Sequence, residues 1–249
     1  MILRGCTKGW RKNNLNIVVG TLQRNVPTLN SMRILKVDLE NPEDKVIEAA
    51  ADILKRGLVL VYPTDTVYGL GVNILDENAV RKIFLIKGRD FIKPLPIVVR
   101  DLKMAEEVAS VGEKAKVLFN KFLPGPLTLV LPKKDIISDI ISADLETVGI
   151  RIPECEVTKK LSEKLDFPYT TTSANISGRP STSSIREVRS QFSDSPRKPD
   201  LILNAGTLSP SLSSTIVDLS NENDIKILRE GPISKEEILS TKSEIPNKF

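Results

Sequence analysis

The order of predicted strands and helices most constrains how this chain can fold. Short apolar runs such as residues 58–62 are typical of strands buried on both faces. They alternate with segments of helical periodicity, such as residues 41–56, over the first two-thirds of the sequence. Predicted strands then cluster near the end. This order predicts an α/β domain with a single mixed sheet and flanking helices. We see no boundary between residues 33 and 240, so we predict one domain over residues 32–240.

Local signals place the predicted helix ends. Asn41 and Pro42 are a cap and a first helical residue for the helix over 41–56, and Asp76 caps the next helix, which ends near Ile86. Ser234 and Glu237 form a capping box before a last helix. The other predicted helices cover residues 102–108, 114–122, 157–165 and 185–192, and the other predicted strands cover 95–99, 127–131, 148–152, 201–203, 215–219 and 225–228.

The composition excludes several function classes. The 249 residues include no His and only two Cys, Cys6 and Cys155. Catalytic Ser-His-Asp and Cys-His systems, His-containing zinc sites and a disulfide framework are therefore excluded, and a reducing, cytoplasmic location is favoured. No apolar run reaches the roughly 18 residues of a membrane span, so we expect no membrane association. The sequence has neither a P-loop nor a complete Rossmann glycine motif, because Gly69 and Gly71 lack a third glycine.

The two ends of the chain differ from the predicted domain. Residues 1–31 contain Arg4, Lys8, Arg11, Lys12 and Arg24 and no acidic residue. Without these five, the chain has 31 basic and 32 acidic residues, so the remainder is nearly neutral. Residues 1–31 are predicted to be a basic extension: a flexible tail, a segment upstream of a natural start at Met32, or an organellar transit peptide. Residues 241–249 are predicted to be a C-terminal tail.

A segment rich in hydroxyl groups is the first candidate binding element. Residues 170–184 are mostly Ser and Thr, and hydroxyls and backbone N–H groups are neutral donors that bind oxyanions. A flexible surface loop is the alternative. Lys87 and Arg89 lie at the end of a predicted helix. They could bind an anion there, or their positive charge could simply stabilise the helix C-terminus. Arg151 ends a predicted buried strand and needs a carboxylate or a ligand as partner. Together these residues indicate an anion pocket.

Ordered motifs across residues 33–235 resemble the YrdC-like family, whose members are threonylcarbamoyl-AMP synthases. Each motif alone has little specificity, whereas the set in this order is specific. The motifs are YPTDTVYGLG at 62–71, KGR at 87–89 with KPL at 93–95, PGPLT at 124–128, VGIRIP at 148–153, TSANISG at 172–178, and STIVD at 214–218 with LREG at 228–231.

The resemblance implies a twisted α/β fold with a concave basic cavity. It also implies that L-threonine, bicarbonate and ATP, the last with Mg²⁺, become threonylcarbamoyl-AMP and pyrophosphate. A separate transferase complex would then modify adenosine 37 of tRNA, with at most weak tRNA contact here. No protein side chain is assigned to the metal. The implied catalytic residues are Lys87, Arg89, Ser173 and Asn175. The implied ATP-binding residues are Lys87, Arg89, Thr147, Thr172, Asn175, Ser183 and Arg229. The implied threonine-binding residues are Thr64, Thr66, Arg151, Ser173 and Ser214.

Several positions depart from the family pattern. Asp90, Phe91 and Ile92 follow the Lys-x-Arg motif, and Val98 and Cys155 stand where many members have His. A paralogue with an altered carbamoyl or acyl substrate is therefore an alternative, as is an RNA-binding module of the same fold. The YrdC-like portion of hydrogenase-maturation proteins is a third, although those longer chains have zinc-finger cysteines. We expect the single-domain type of synthase, with Ser173 and Asn175 on a surface loop.

Overall fold

A computed structural model describes residues 32–193, 195–209, 211–221 and 224–241. The predictions for residues 1–31 and 242–249 therefore lie outside the described residues. The helices are α1 (Asp44–Lys55), α2 (Glu77–Lys87), α3 (Leu102–Val108), α4 (Glu113–Phe122), α5 (Asp139–Ser142), α6 (Glu156–Glu163), α7 (Ile185–Ser193) and α8 (Lys235–Ser240). The strands are β1 (Arg33–Lys36), β2 (Leu60–Tyr62), β3 (Gly69–Gly71), β4 (Ile97–Val98), β5 (Leu127–Pro132), β6 (Thr147–Arg151), β7 (Tyr169–Thr170), β8 (Thr172–Ser173), β9 (Leu201–Asn204), β10 (Thr215–Asp218) and β11 (Lys226–Arg229).

The strands form two mixed sheets. The first has the order β1-β9-β2-β3-β8 and the second the order β11-β10-β5-β6-β4-β7. The prediction of a mixed α/β fold is confirmed, whereas the prediction of a single sheet is wrong. The alternation of strands and helices along the chain indicates which segments are strands, but not which strands pair with each other. Partners such as β1 and β9 pair in parallel, Arg33 with Leu201, although they are far apart in the chain.

The first sheet is covered on both faces. In β2, Leu60 and Tyr62 pack into one apolar cluster that also contains Ile47 of α1 and Leu161 of α6. Val61, on the opposite face, packs into the larger cluster, which includes residues of α2, α7 and the second sheet. A strand buried on both faces is thus confirmed for residues 60–62 of the predicted run 58–62, whereas Leu58 is half-buried and lies outside the strand. Pro63 follows at once, and its missing N–H prevents a further hydrogen bond in the ladder.

The second sheet has one closed face and one partly open face. Its closed face, with Leu129, Val148 and Ile150, packs into the larger cluster. The opposite face includes half-buried residues of three neighbouring strands, here called the open face of the second sheet. Its half-buried members are Val130, Thr147, Gly149, Ile216 and Asp218. A polar molecule could lie against this face without unpacking the core.

Most helix ends follow the local signals, and one does not. The Asp76 side chain accepts a hydrogen bond from the Ala79 N–H, and the predicted capping box at Ser234 and Glu237 is present. The first helix starts later than predicted, at Asp44, because residues 38–41 form a turn in which the Asp38 carboxylate accepts from the Glu40 and Asn41 N–H groups. Among the described residues, no helix has both the length and the apolar content that a membrane crossing requires.

The segment of residues 169–173 joins the two sheets. β7 pairs with β4 of the second sheet, and β8 pairs with β3 of the first. Between them, the Thr171 N–H donates to the Pro96 carbonyl over 2.8 Å. This crossing delivers Ser173 to the end of α2.

Candidate active site

Lys87 is at the centre of the first group of candidate residues. Its side chain is 1% exposed, and Nζ donates to the Ser173 carbonyl and, over 3.0 Å each, to the Asn175 carbonyl and Asn175 Oδ1. Three oxygen acceptors match the three N–H groups of an ammonium ion. The structure therefore brings Lys87, Ser173 and Asn175 together, with the ammonium group holding the segment that follows β8.

Asn175 corrects the expectation that this pair lies on a surface loop. It is 7% exposed, and its amide nitrogen donates to the carbonyls of Ile176 (3.1 Å) and Arg179 (2.5 Å). Its Oδ1 accepts from Lys87 and from the Ser173 hydroxyl (2.5 Å). All four hydrogen-bonding positions of this amide are thus used, which explains why so polar a segment can be buried.

We therefore expect different stability costs at these two positions. Asn175→Ala should lower the free energy of unfolding by about 1–3 kcal/mol, because it removes the donor to the Ile176 and Arg179 carbonyls and leaves one N–H of the buried Lys87 ammonium without an acceptor. Ser173→Ala should cost less than about 1 kcal/mol, since it removes only the half-buried hydroxyl that donates to Asn175 Oδ1. Urea unfolding of both variants measures the difference, and equal losses would contradict it.

Arg89 lies two residues beyond Lys87, past the end of α2. Gly88 adopts the left-handed conformation, φ 57°, that ends the helix and is costly for residues with a Cβ. Arg89 is half-buried, and its guanidinium donates to two backbone carbonyls, Nη2 to Pro94 over 3.1 Å and Nε to Lys93 over 3.4 Å. Desolvation lowers the pKa of Arg89. Within the described residues, no carboxylate neutralises Lys87 or Arg89.

The pKa of Lys87 gives a stability that depends on pH. Burial, and secondarily the charge of Arg89, lowers this pKa to about 7. The unfolded lysine, with its ordinary pKa of about 10.4, holds its proton up to higher pH, so between these values the unfolded chain binds more protons. The contribution of Lys87 to stability should therefore rise as pH rises from about 7 to 10. The chain has no His to obscure this effect near neutral pH.

The measurement compares the native protein with Lys87→Met in urea at several pH values. The free energy of unfolding of the native protein should rise relative to that of the variant across this window. A difference that stays constant with pH would show that the folded and unfolded pKa values of Lys87 are the same.

Arg151 forms the second group with the loop after β2. Nη2 donates to Asp65 Oδ1 over 2.6 Å, and Nη1 donates to Thr66 Oγ1 over 3.4 Å. The Thr64 and Thr66 hydroxyl oxygens are 3.1 Å apart, and Thr64 also donates to the Val67 carbonyl. The buried strand-end arginine thus has a carboxylate partner in the chain. The side chains of the pair are only 8% and 10% exposed.

The Asp65–Arg151 pair leaves hydrogen-bonding capacity unused. Asp65 Oδ2 and Arg151 Nε are both buried, and neither has a hydrogen-bond partner among the described residues. Asp65 is part of the motif at 62–71, but no role was assigned to it from the sequence. Asp65 could have been identified from the sequence, because a buried cation such as Arg151 needs a carboxylate partner.

Arg229 and Ser214 form a third contact on the open face of the second sheet. Arg229 is exposed and donates from Nε and Nη2 to the Ser214 carbonyl over 2.9 and 2.8 Å, and the Ser214 hydroxyl lies 2.9 Å from the Thr128 hydroxyl. Partial desolvation, and then the charge of Arg151, lowers the pKa of Arg229. Gly231 permits this approach, because a Cβ there would lie 2.3 Å from the Ser213 carbonyl oxygen. Thr128 was not assigned from the sequence.

The first and second groups are linked through the loop after β2. The Tyr68 carbonyl, two residues beyond Thr66, accepts from the Ala174 N–H between Ser173 and Asn175. Three other predicted site residues are not joined to any group by a side-chain hydrogen bond within the described residues. These are Thr172, buried in β8; Ser183, half-buried; and Thr147, at the opposite end of β6 from Arg151 and about 13 Å away by the rise of a strand.

The residues that depart from the family pattern lie close to these groups. Phe91 stacks on Phe84 of α2 with ring centroids 4.5 Å apart, beside Arg89. Val98 is buried against Tyr62 and Tyr169 in the smaller apolar cluster. Cys155 is half-buried, its thiol 3.8 Å from the Pro63 carbonyl oxygen, and burial raises its pKa.

The cavities differ in their relation to the site. One of about 400 Å³ adjoins the Arg151 group and is lined by Thr64, Asp65 and Cys155 together with three glutamates. The largest described, about 710 Å³, is lined by Arg81, Lys133 and residues 135–140 and touches none of the predicted site residues. The concave basic cavity stays a prediction. Among the described residues, no group of three or more His, Cys, Asp or Glu is arranged to hold a metal ion.

The protein thus combines a mixed α/β fold with clustered hydroxyl groups and cations. Comparison identifies its family. The family model Sua5/YciO/YrdC, described as "Telomere recombination", matches residues 52–231. The match covers more than half of the chain, so the chain belongs to this family.

Individual relatives support the assignment. A threonylcarbamoyl-AMP synthase of Pyrococcus abyssi is 40% identical over 207 residues, 83% of this chain and 60% of the relative. A Methanocaldococcus jannaschii protein, provisionally given the same name, is 41% identical over 82% of this chain and 96% of its own length. The crystal structure of P. abyssi Sua5 complexed with L-threonine superposes with a TM-score of 0.79 at 39% identity, covering 85% of this chain and 61% of that one. The chain thus spans about three-fifths of the P. abyssi protein.

Proposed function

We propose that this protein is an L-threonylcarbamoyladenylate synthase. It joins L-threonine, bicarbonate and ATP into threonylcarbamoyl-AMP and pyrophosphate. The observation that carries the proposal is the pair of cations Lys87, which is buried, and Arg89, which is half-buried, because both lack a carboxylate partner in the described part of the chain. Burying positive charge without a counter-ion is costly, so such a site favours an anionic ligand. The triphosphate of ATP is such a ligand.

Charge development in the reaction fits these residues. An N–C bond to the threonine nitrogen and an O–P bond to the α-phosphorus form, the bond between the α- and β-phosphoryl groups breaks, and water leaves. Negative charge grows on the departing pyrophosphate, where Arg89 would stabilise it. Mg²⁺ bound to the ATP phosphates would supply further neutralisation. No covalent nucleophile is required, which agrees with a chain that has no His.

The amino-acid side of the proposal rests on the second group. Thr64, Thr66 and Arg151 offer hydroxyl and guanidinium donors, and a guanidinium can bind a carboxylate through two parallel hydrogen bonds. Ser173 and Ser214 would complete this side, and Arg229 would contact the nucleotide. The threonine complex of the P. abyssi relative supports L-threonine as the substrate.

Mass spectrometry after incubation with ATP, bicarbonate and each amino acid tests the proposal. We expect threonylcarbamoyl-AMP with L-threonine, and at least tenfold less product from Arg89→Gln. Arg81→Gln is the matched control, because Arg81 lies on α2, the helix that precedes Arg89, and forms an exposed ion pair with Glu77. The absence of any adenylate with L-threonine would overturn the proposal.

A paralogue with a different substrate is the second candidate, favoured by Phe91 and Cys155 beside the site. An adenylate formed only with another amino acid would support it. We further propose that the product passes to a separate transferase complex in the cytoplasm, where it serves the threonylcarbamoyladenosine modification at position 37 of tRNA.

A further inference from the structure

Exposed apolar side chains are concentrated around helix α2. Five of the eight large apolar residues that are exposed in the described part of the chain lie there, namely Leu75, Leu85, Phe91, Ile92 and Ile136. Leu75 lies just before the helix and Leu85 lies on it, and Leu75 and Ile136 line one cavity. We call these five residues the α2 surface. Apolar side chains gathered on one side of a protein mark an interaction surface, whereas scattered ones do not.

One part of the α2 surface is a groove. The cavity of about 710 Å³ lies between α2 and residues 133–140, and Leu75 and Ile136 belong to its lining. Ile74 and Ile137 also line it and are buried, so the groove has an apolar floor. The Ser138 hydroxyl oxygen is buried there without a hydrogen-bond partner in the described part of the chain. The groove thus offers apolar contacts and one unused hydroxyl group.

The other part is an exposed tip formed by Phe91 and Ile92. Phe91 stacks on Phe84 of α2, whereas the Ile92 side chain is 74% exposed. Arg89 closes the loop below the tip, because its guanidinium donates to two backbone carbonyls of that loop. Phe84 follows Glu77, a residue of the groove, by seven positions. By the rise of a helix, the tip therefore lies about 10 Å along α2 from the groove.

The charges of tip and groove are complementary. Lys93 directly follows the tip, is exposed and forms no ion pair within the described residues, whereas the Asp90 carboxylate accepts from the Ile92 N–H. The two cations of the groove are already paired with two of its carboxylates. Asp135 and Glu146 remain as groove carboxylates without an ion pair in the described part of the chain. An apolar tip followed by a cation therefore matches an apolar groove with two unpaired carboxylates.

We propose that two copies of this chain pair through the α2 surface, each placing its tip in the groove of the other. The tip does not reach the groove of its own molecule, because Phe91 is held on Phe84. A two-fold axis beside the middle of α2 sets the two helices antiparallel and brings each tip to the other copy's groove. Such an isologous contact uses both parts of the surface at once and closes at two copies.

The pairing goes beyond the proposed function and does not depend on it. It places a second copy against the loop that Arg89 closes, and so beside the candidate active site. Adenylate formation is not a readout of the pairing. Failure of either proposal therefore leaves the other standing.

Sedimentation velocity of the full chain between about 1 and 100 µM tests the proposal. We expect a monomer–dimer equilibrium with a dissociation constant in about the micromolar range, as for a small interface. Ile92→Ser should weaken pairing at least about tenfold, because it removes the exposed apolar side chain of the tip. Leu212→Ser is the matched control, since Leu212 is 66% exposed and lies outside the α2 surface. The control should pair like the native protein.

Charge exchange tests whether tip and groove meet across two copies. Lys93→Glu alone and Asp135→Lys/Glu146→Lys alone should each pair at least about tenfold more weakly, because like charges then face each other. An equal mixture of the two variants should pair about as well as the native protein, since opposite charges face each other in both halves of the contact. Circular dichroism confirms that each variant is folded.

Four outcomes would overturn the proposal. The first is a native protein that stays monomeric at about 100 µM, which leaves no pairing in the accessible range of affinities. The second is an equal loss in Ile92→Ser and Leu212→Ser. The third is a mixture of the two charge variants that fails to pair although both are folded. The fourth is growth beyond two copies, which an isologous contact forbids.

Discussion

Replacing Lys87 by Met is expected to reduce adenylate formation by about a hundred- to a thousandfold, the cost of losing one preorganised charged donor. Methionine has a similar length but offers no donor to the Ser173 carbonyl or to the two Asn175 oxygens. The segment that follows β8 would then lose its attachment to α2. The quantity to measure is the rate of threonylcarbamoyl-AMP formation by the purified variant at neutral pH.

Lys82→Met is the matched control for this prediction. Lys82 lies on the same helix, and its Nζ donates to one carbonyl, that of Gly57, over 2.7 Å. Its activity should stay within about twofold of the native protein. The double variant Lys87→Met/Ser173→Ala tests whether Lys87 acts through the segment it holds, because coupled residues give less than additive losses. Native-like turnover in Lys87→Met, or strictly additive losses, would contradict this role.

Signals confined to one or two turns of the chain were read correctly from the sequence. The caps at Asp76 and Ser234 follow from short side chains that accept nearby backbone N–H groups. The strand Leu60–Tyr62 follows from an apolar run ended by Pro63. Asn41 is not the cap because it belongs to a turn in which the Asp38 carboxylate, three residues earlier, accepts its N–H, and the helix begins only at Asp44. Competition among such neighbouring polar groups is not resolved by residue preferences alone.

Features that depend on contacts between residues far apart in the sequence could not be predicted. Asn175 looked like a loop residue because its segment is polar, yet Lys87, far away in sequence, buries its charge there and supplies a donor. The division into two sheets rests on pairings between strands that are far apart in sequence, and the chain passes between the sheets more than once, at residue 171 among other places. The motifs at 87–89 and 172–178 predicted that Lys87, Ser173 and Asn175 belong to one site, and these residues are in contact, whereas their joint role in catalysis remains a prediction. The assigned roles of Thr147, Thr172 and Ser183 remain predictions.

Breaking the buried pair of Arg151 and Asp65 should give the largest loss of stability. Arg151→Met leaves the Asp65 carboxylate buried without a counter-ion, which typically costs about 3–5 kcal/mol of the free energy of unfolding. The exposed pair Arg56–Asp52 is the control, since its side chains are 60% and 62% exposed. Exposed pairs contribute about 0–1 kcal/mol, so Arg56→Met should change stability little. Urea unfolding at neutral pH measures both.

The double variant Asp65→Asn/Arg151→Met separates the charge from the packing. Removing both charges leaves no buried carboxylate to compensate, so most of the loss seen in Arg151→Met should be recovered. Adenylate formation should nevertheless stay low, because the guanidinium that would bind the threonine carboxylate is gone. If stability is not recovered, the cost in Arg151→Met comes from packing. If stability and activity both return, Arg151 serves only to neutralise Asp65, and its assignment to threonine is wrong.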